Sequence, residues 1–211
     1  VVPEVRGEIV VFSDANSMFP EQAVRKLVQN FADSMVGCVT GYTKYTSQKD
    51  GILDGSLSMY SQLERIIKEM ESRIGSCVGA DGAIFAIRKH LYEPLKGTDI
   101  NDLVIPLNIV SKGYRTVIER ESFCLEETAK DSKGEYDRQV RITNRTLRAL
   151  FANKQLLDAR QFGMFSFELF SHKIMKFLSP FFLIAILATN VILAWRRWHY
   201  VVLLLLQGLF Y

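Results

Sequence analysis

Apolar and polar positions alternate along the first two thirds of the chain with the two periods of regular secondary structure. Glu8-Ile9-Val10-Val11-Phe12-Ser13-Asp14 is an apolar β-branched run that ends in a carboxylate, followed by small polar residues as far as Pro20. Such a run predicts a buried strand. Glu21 to Ala32 then places Ala23, Val24, Leu27, Val28 and Phe31 at helical spacing on one face, which predicts a crossover helix. Val36 to Tyr42, punctuated by Gly37 and Gly41, predicts a short buried strand, and the strand, helix, strand order favours a parallel pair. Thr43 to Gly55 is polar and predicts a loop. Leu57, Tyr60, Leu63, Ile67, Met70 and Ile74, at three- and four-residue steps, predict a long amphipathic helix over Ser56 to Arg73. Gly75 to Arg88 sets glycines around Asp81 and enters another strand; glycines there make a tight turn or let a backbone approach a ligand closely. Asp102-Leu103 stands before the apolar stretch Val104 to Val110, a helix with Gly113 as its stop, and Tyr114 to Ile118 reads as a strand. Phe123 to Lys133 reads as a charged connection.

The character of the chain then changes. Gln155 to Lys173 alternates Leu156, Leu157, Phe162, Met164, Phe165, Phe167, Leu169 and Phe170 with polar residues, the pattern of a helix lying in a membrane interface. Phe177 to Ala194 is long and apolar enough to span a bilayer, Trp195 and Trp198 suit its far boundary, and a second apolar run begins near Tyr200. Basic residues are denser before this span (Arg145, Arg148, Lys154, Arg160, Lys173, Lys176) than after it. A multi-pass protein of the plasma or inner membrane with its globular part in the cytosol is the resulting expectation. The division expected is 1–135 globular, 136–173 amphipathic helices and 174–211 transmembrane.

Composition changes this picture little. The 211 residues are 48% hydrophobic with a formal charge of +3, so no basic surface calls for a nucleic-acid partner. Cys38, Cys77 and Cys124 are scattered and odd in number, which predicts neither a disulfide framework nor a zinc site and fits a reducing compartment. His90, His172 and His199 are equally dispersed, and the sequon at Asn144-Arg145-Thr146 falls in the part assigned to the cytosol. The start within the approach to a strand and the end within an apolar run lead us to expect a fragment of a longer chain.

Two carboxylates carry the candidate chemistry. In open α/β sheets ligands bind beyond the carboxyl ends of the strands, so Asp14 would offer a hard oxygen to a metal-bound phosphate there. Asp14, Asn16 and Ser17 are equally the residues of an ordinary turn and cap before Pro20. Asp102, at the mouth of a helix, is in the same way either a reactive acid or a carboxylate favoured by the helix dipole.

The order of the pieces decides between these readings. Phe12-Ser13-Asp14-Ala15-Asn16, Tyr60 with Glu64, the run Gly79-Ala80-Asp81-Gly82-Ala83-Ile84-Phe85-Ala86-Ile87-Arg88, Asn101-Asp102, Gly113-Tyr114-Arg115 and Arg138-Gln139-Val140-Arg141 resemble, in sequence order, the membrane-bound family 2 glycosyltransferases, such as the bacterial synthases of cellulose, hyaluronan and poly-N-acetylglucosamine. The resemblance implies an α/β fold: the C-terminal part of a type-A, Rossmann-like nucleotide-sugar domain, followed by an interface helix and transmembrane helices. By it Asp14 and Asn16 stand at the DxD motif that holds Mg²⁺ or Mn²⁺ on the donor diphosphate, and Arg138 and Arg141 clamp that diphosphate. Asp102 is implied as the general base, with Asp81 and Gly82 on the acceptor side. The implied donor is a nucleotide sugar, with UDP favoured, and the implied acceptor a saccharide or a lipid-linked sugar. Two positions depart from the family pattern. Asn16 replaces the second acid of DxD, and Arg138-Gln139-Val140-Arg141-Ile142 stands for QxxRW without its Gln or Trp. Processive synthesis is therefore left open, as is the alternative of a non-catalytic membrane scaffold.

Overall fold

A strand with no charge on either face belongs in the middle of a sheet, and Ile84-Phe85-Ala86-Ile87 is buried at every position. The computed structural model describes residues 2–46, 52–127 and 132–210, and the chain divides into two units, Val1–Glu168 and Leu169–Tyr211. The first unit runs β1 (Ile9–Ser13), α1 (Ala23–Gln29), β2 (Val36–Thr46), α2 (Ile52–Ile74), β3 (Ile84–Arg88), α3 (Asn101–Ser111), β4 (Arg115–Glu127), α4 (Ser132–Ala152) and the short helix α5 (Ala159–Phe162), and the short helix α6 (Met164–Leu169) ends one residue past its boundary. Its four strands form one sheet in the order β1-β3-β2-β4.

Strand alternation divides the core into two layers. Ile84 and Ala86 of β3, with Val39 of β2, pack under Ala23, Leu27 and Phe31 from the α1 side. Phe85 and Ile87, with Cys38 and Val10, pack under Ile105 and Ile109 of α3. The period of two thus sends neighbouring residues to opposite helical layers. The Phe12 and Phe85 rings are cross-strand partners and stack 4.4 Å apart. Arg88 closes the far end by donating from Nε to the Val36 carbonyl at 2.8 Å and from Nη2 to the Phe31 carbonyl at 2.8 Å.

Several expectations are corrected here. β1 and β2 point the same way but are not neighbours, because β3 lies between them and is antiparallel to both. The parallel partner of β2 is β4. A strand buried on both faces needs a partner on each side, and local order does not reveal which strand enters the gap. β2 runs on through the polar residues 43–46, held by β4 after a register shift between Thr40 and Tyr42. β4 likewise extends to Glu127, through residues expected to be a connection, since an edge strand carries charge at no cost. Of the expected loops, 47–51 and 128–131 lie outside the described residues, while 52–55 are helical.

α2 is amphipathic as expected, but its polar side faces the sheet. Lys68 and Glu71 are buried, while Met59, Leu63, Ile66, Met70 and Ile74 are exposed. Gln155 to Lys173 is not one interface helix. It is a 3₁₀ turn (Lys154–Leu157), then α5, then Gly163 at φ 55°, then α6 and a π-helical turn (Phe170–Ile174).

In the second unit α7 (Met175–Ala194) and α8 (Trp198–Phe210) pack on each other, and Asn190 Nδ2 donates to Gln207 Oε1 at 2.8 Å. Among the described residues Met164–Ala194 is the one helical stretch long and apolar enough to cross a membrane, and α8 is a shorter apolar helix. All three cysteines are free and buried. Burial, the largest cause, pushes the Cys77 thiol up to about 12 and the Cys124 thiol up to about 11. They act as small core residues rather than as nucleophiles.

Candidate active site

β1, β2 and β4 all end on one side of the sheet, and β3 begins there. Past β1 the chain turns at Asp14, whose carbonyl accepts from the Ser17 amide at 3.2 Å. It then pairs with the far edge strand, where Met18 and Leu125 exchange both backbone hydrogen bonds at 3.0 and 2.9 Å. The turn that carries Asp14 and Asn16 is therefore stretched across the carboxyl end of the sheet, the place where open α/β sheets bind ligands. Asp14 is exposed, yet partial burial holds its carboxyl above the usual range. The charge of Asp81 adds to the rise, and Arg138 opposes it.

Asp81 is built into the turn that leads to β3. One carboxylate oxygen accepts the Thr43 amide at 2.8 Å and the other accepts the Ala83 amide at 3.1 Å, while the Thr43 hydroxyl reaches both at 2.9 and 3.0 Å. Its own amide donates to Thr40 Oγ1 at 2.7 Å. A carboxylate held from so many sides is fixed in place, as a ligand-positioning group needs to be.

The inward face of α2 supplies a cation. Lys68 is only 8% exposed; burial acts to lower its ammonium, but the charges of Asp81, Glu64, Cys77 and Asp102 outweigh this and hold it raised. A buried lysine persists only where anions compensate it. Here they come from the turn before β3 and from the start of α3, so Lys68 ties the two together electrostatically.

Asp102 lies in the first turn of α3. Its carbonyl accepts the Ala80 amide at 2.7 Å, and a Cβ built on Gly82 would lie 3.4 Å from its Oδ2. That is ordinary van der Waals distance, so the turn runs directly beside the carboxylate. Gly79 takes φ 90°, a conformation that only glycine adopts freely.

A cleft of about 210 Å³ opens beside Asp81. Tyr42 and Tyr45 of β2 line one wall, Glu64, Arg65 and Lys68 of α2 another, and Arg138 and Gln139 reach it from α4. The guanidinium of Arg65 stands 5.0 Å over the Tyr42 ring, and Lys44 Nζ stands 3.5 Å over Phe123. The structure thus places Asp14 within electrostatic reach of Asp81 and Arg138, sets Asp81 and Arg138 on one cleft, and runs Gly82 beside Asp102. Arg141 is exposed on α4 and is not among the residues that line this cleft, and Asn16 is exposed in its turn. Among the described residues no three His, Cys, Asp or Glu side chains converge as a metal cage. Sequence reading missed Lys68, Tyr42, Tyr45 and Gln139. The signal for Lys68 was present: Glu64, Lys68 and Glu71, at steps of four and three, form a polar row that marks a helix face turned toward a site.

Compared with solved structures, the chain has the mixed α/β fold of a glycosyltransferase. One similar structure is mannosyltransferase PcManGT from Pyrobaculum calidifontis, solved in complex with GDP-Man and Mn²⁺, at a TM-score of 0.56 and 19% identity. It covers 98% of this chain, which spans 61% of that one. No family model matches the sequence. No curated protein matches it significantly.

Proposed function

We propose that the protein is an inverting glycosyltransferase that moves a sugar from a nucleotide-sugar donor to a saccharide or lipid-linked acceptor at the cytosolic face of the plasma or inner membrane. The observation that carries this reading is the cleft shared by Asp81 and Arg138 at the carboxyl end of the sheet, with Asp14 in electrostatic reach of both and Asp102 packed on the same glycine turn. A departing nucleotide diphosphate gathers negative charge, and in this reading Arg138, which lines the cleft, meets it with a planar, two-point donor. Arg141, one turn further along α4, is assigned to the outer end of the same diphosphate. Asp102 takes the proton from the acceptor hydroxyl, and attack opposite the leaving group inverts the sugar carbon. Asp81 and Gly82 border the acceptor.

The donor set fits a hard divalent cation shared with substrate. Mg²⁺ is commonly held by one or two carboxylates and completed by substrate phosphates and water, so Asp14 with the Asn16 oxygen suffices without a three-residue cage. Bound there, Mg²⁺ or Mn²⁺ would neutralise charge on the leaving diphosphate. The apolar stretch that includes α7, followed by Trp195 and Trp198, supports the membrane location, as does the Asn190–Gln207 pair, an interhelical hydrogen bond of the kind used within bilayers.

The test is a donor panel on the purified full-length protein in detergent. UDP-sugars come first, and GDP-sugars are included because the similar structure holds GDP-Man. Saturable binding of a nucleotide sugar with Mn²⁺-stimulated transfer is expected; a protein that binds none and transfers none is the scaffold instead. Asp14→Ala is expected to abolish the metal-dependent part of the rate, whereas Asn16→Asp keeps or tightens metal affinity. An Asp14→Ala enzyme whose Mn²⁺ dependence matched wild type would remove Asp14 from the metal site.

A further inference from the structure

Pro106 lies inside α3, four residues after Asp102, and is buried there among Leu103, Val104, Ile105 and Leu107. A proline within a helix has no N–H for the carbonyl four residues back, and its ring crowds that carbonyl aside. The carbonyl so released is that of Asp102. It is not left idle, because the Ala80 amide, in the glycine turn that carries Asp81, donates to it at 2.7 Å. The turn lies close on either side of this bond: a Cβ on Gly79 would stand 3.3 Å from the same carbonyl oxygen, and one on Gly82 would stand 3.4 Å from Asp102 Oδ2. Gly79 reaches that position with φ 90°. An apolar helix would be more regular with any other apolar residue at 106, so the proline is best understood through the bond it leaves open.

We propose that Pro106 is a positioning residue, which frees the Asp102 carbonyl to latch the Asp81 turn onto the helix carrying the base, so that the acceptor-side turn and the base keep one fixed relation. The latch extends the reading of Asp102 as general base and rests on it for its catalytic meaning. Its mechanical part is independent: one backbone hydrogen bond joins two segments of the chain, and the proline removes the competing donor within the helix.

Pro106→Ala supplies that donor. In the full-length protein the variant is expected to unfold at the wild-type temperature or above, since alanine suits a helix interior better. Donor binding and donor KM should stay at the wild-type value, while kcat falls about tenfold or more through a slightly misplaced base. Hydrogen exchange, read by mass spectrometry on peptides covering Gly79–Gly82, should be slow in wild type and faster in the variant. A purely structural proline would change stability and leave kcat alone, so wild-type kcat in Pro106→Ala overturns the proposal. Exchange at Ala80 as fast as in an open loop overturns it in the wild-type protein, with no variant needed. Wild-type protein that transfers no sugar overturns the reading of Asp102 instead, and the exchange measurement then judges the latch by itself.

Discussion

Asp102→Asn is expected to lower kcat by roughly 10²- to 10⁴-fold while donor KM stays near wild type. The substitution keeps the shape of the side chain and its capacity for hydrogen bonds but removes the proton acceptor. An acceptor hydroxyl is a poor nucleophile until its proton is taken, so the loss belongs to the transition state and not to donor binding. The competing account, in which Asp102 only favours the start of α3 through the helix dipole, gives a different result. Asn is nearly as good as Asp at a helix start, so rate and stability would both change little. Asp99 is the internal control. Its carboxylate accepts the Lys96 amide at 2.8 Å in an exposed turn, and Asp99→Asn should remain active. Near-normal turnover by Asp102→Asn removes the base assignment, and loss of activity in Asp99→Asn alone moves it there.

Phe85→Ala is expected to cost about 3–5 kcal/mol of stability, the range for large aromatic deletions in a closed core. Phe85 is 0% exposed and sits in the central strand, stacked on Phe12 and packed toward Ile105 and Ile109 of α3. Partners on three sides belong to regular elements that cannot close the space by a side-chain rotation alone, which favours the upper part of the range. In a folding unit of this size the thermal midpoint should fall by on the order of 10 °C. Phe12 lies two residues before Asp14, so donor affinity should weaken along with stability. A variant that melts within two or three degrees of wild type would mean that the β1–β3 packing is not the centre of the core.

The elements that could be read from sequence were those whose burial is one-sided or complete over a short run. Ile9 to Ser13, Ala23 to Phe31, Ile84 to Arg88 and the helix after Asp102 all declare themselves by periodicity, and the structure places each within a few residues of its expected bounds. Pairing was not legible, because β1 and β2 are joined locally while β3 arrives from over forty residues further on to separate them. Nor were the ends of β2 and β4: Thr43 and Lys44, like Glu126 and Glu127, are polar enough for loops, and only the ladder between the two strands and the Asp81 carboxylate make them strand. The carboxylates at 14, 81 and 102 came from motif order, whereas the cleft walls at Tyr42, Tyr45 and Lys68 depend on which face of an element turns inward, and that is a tertiary decision.

That decision at α2 has a practical consequence. A helix that spends its polar side on the cleft has only its oily side left for the outside, and Leu63 and Met70 are 56% and 58% exposed. Removing the apolar hairpin beyond residue 168 would therefore not give a well-behaved water-soluble fragment. Five adjacent side chains would still stick to detergent, to other molecules or to one another. Surface engineering at Leu63 and Ile66, where charged replacements face away from the cleft, is the better route to a monodisperse preparation.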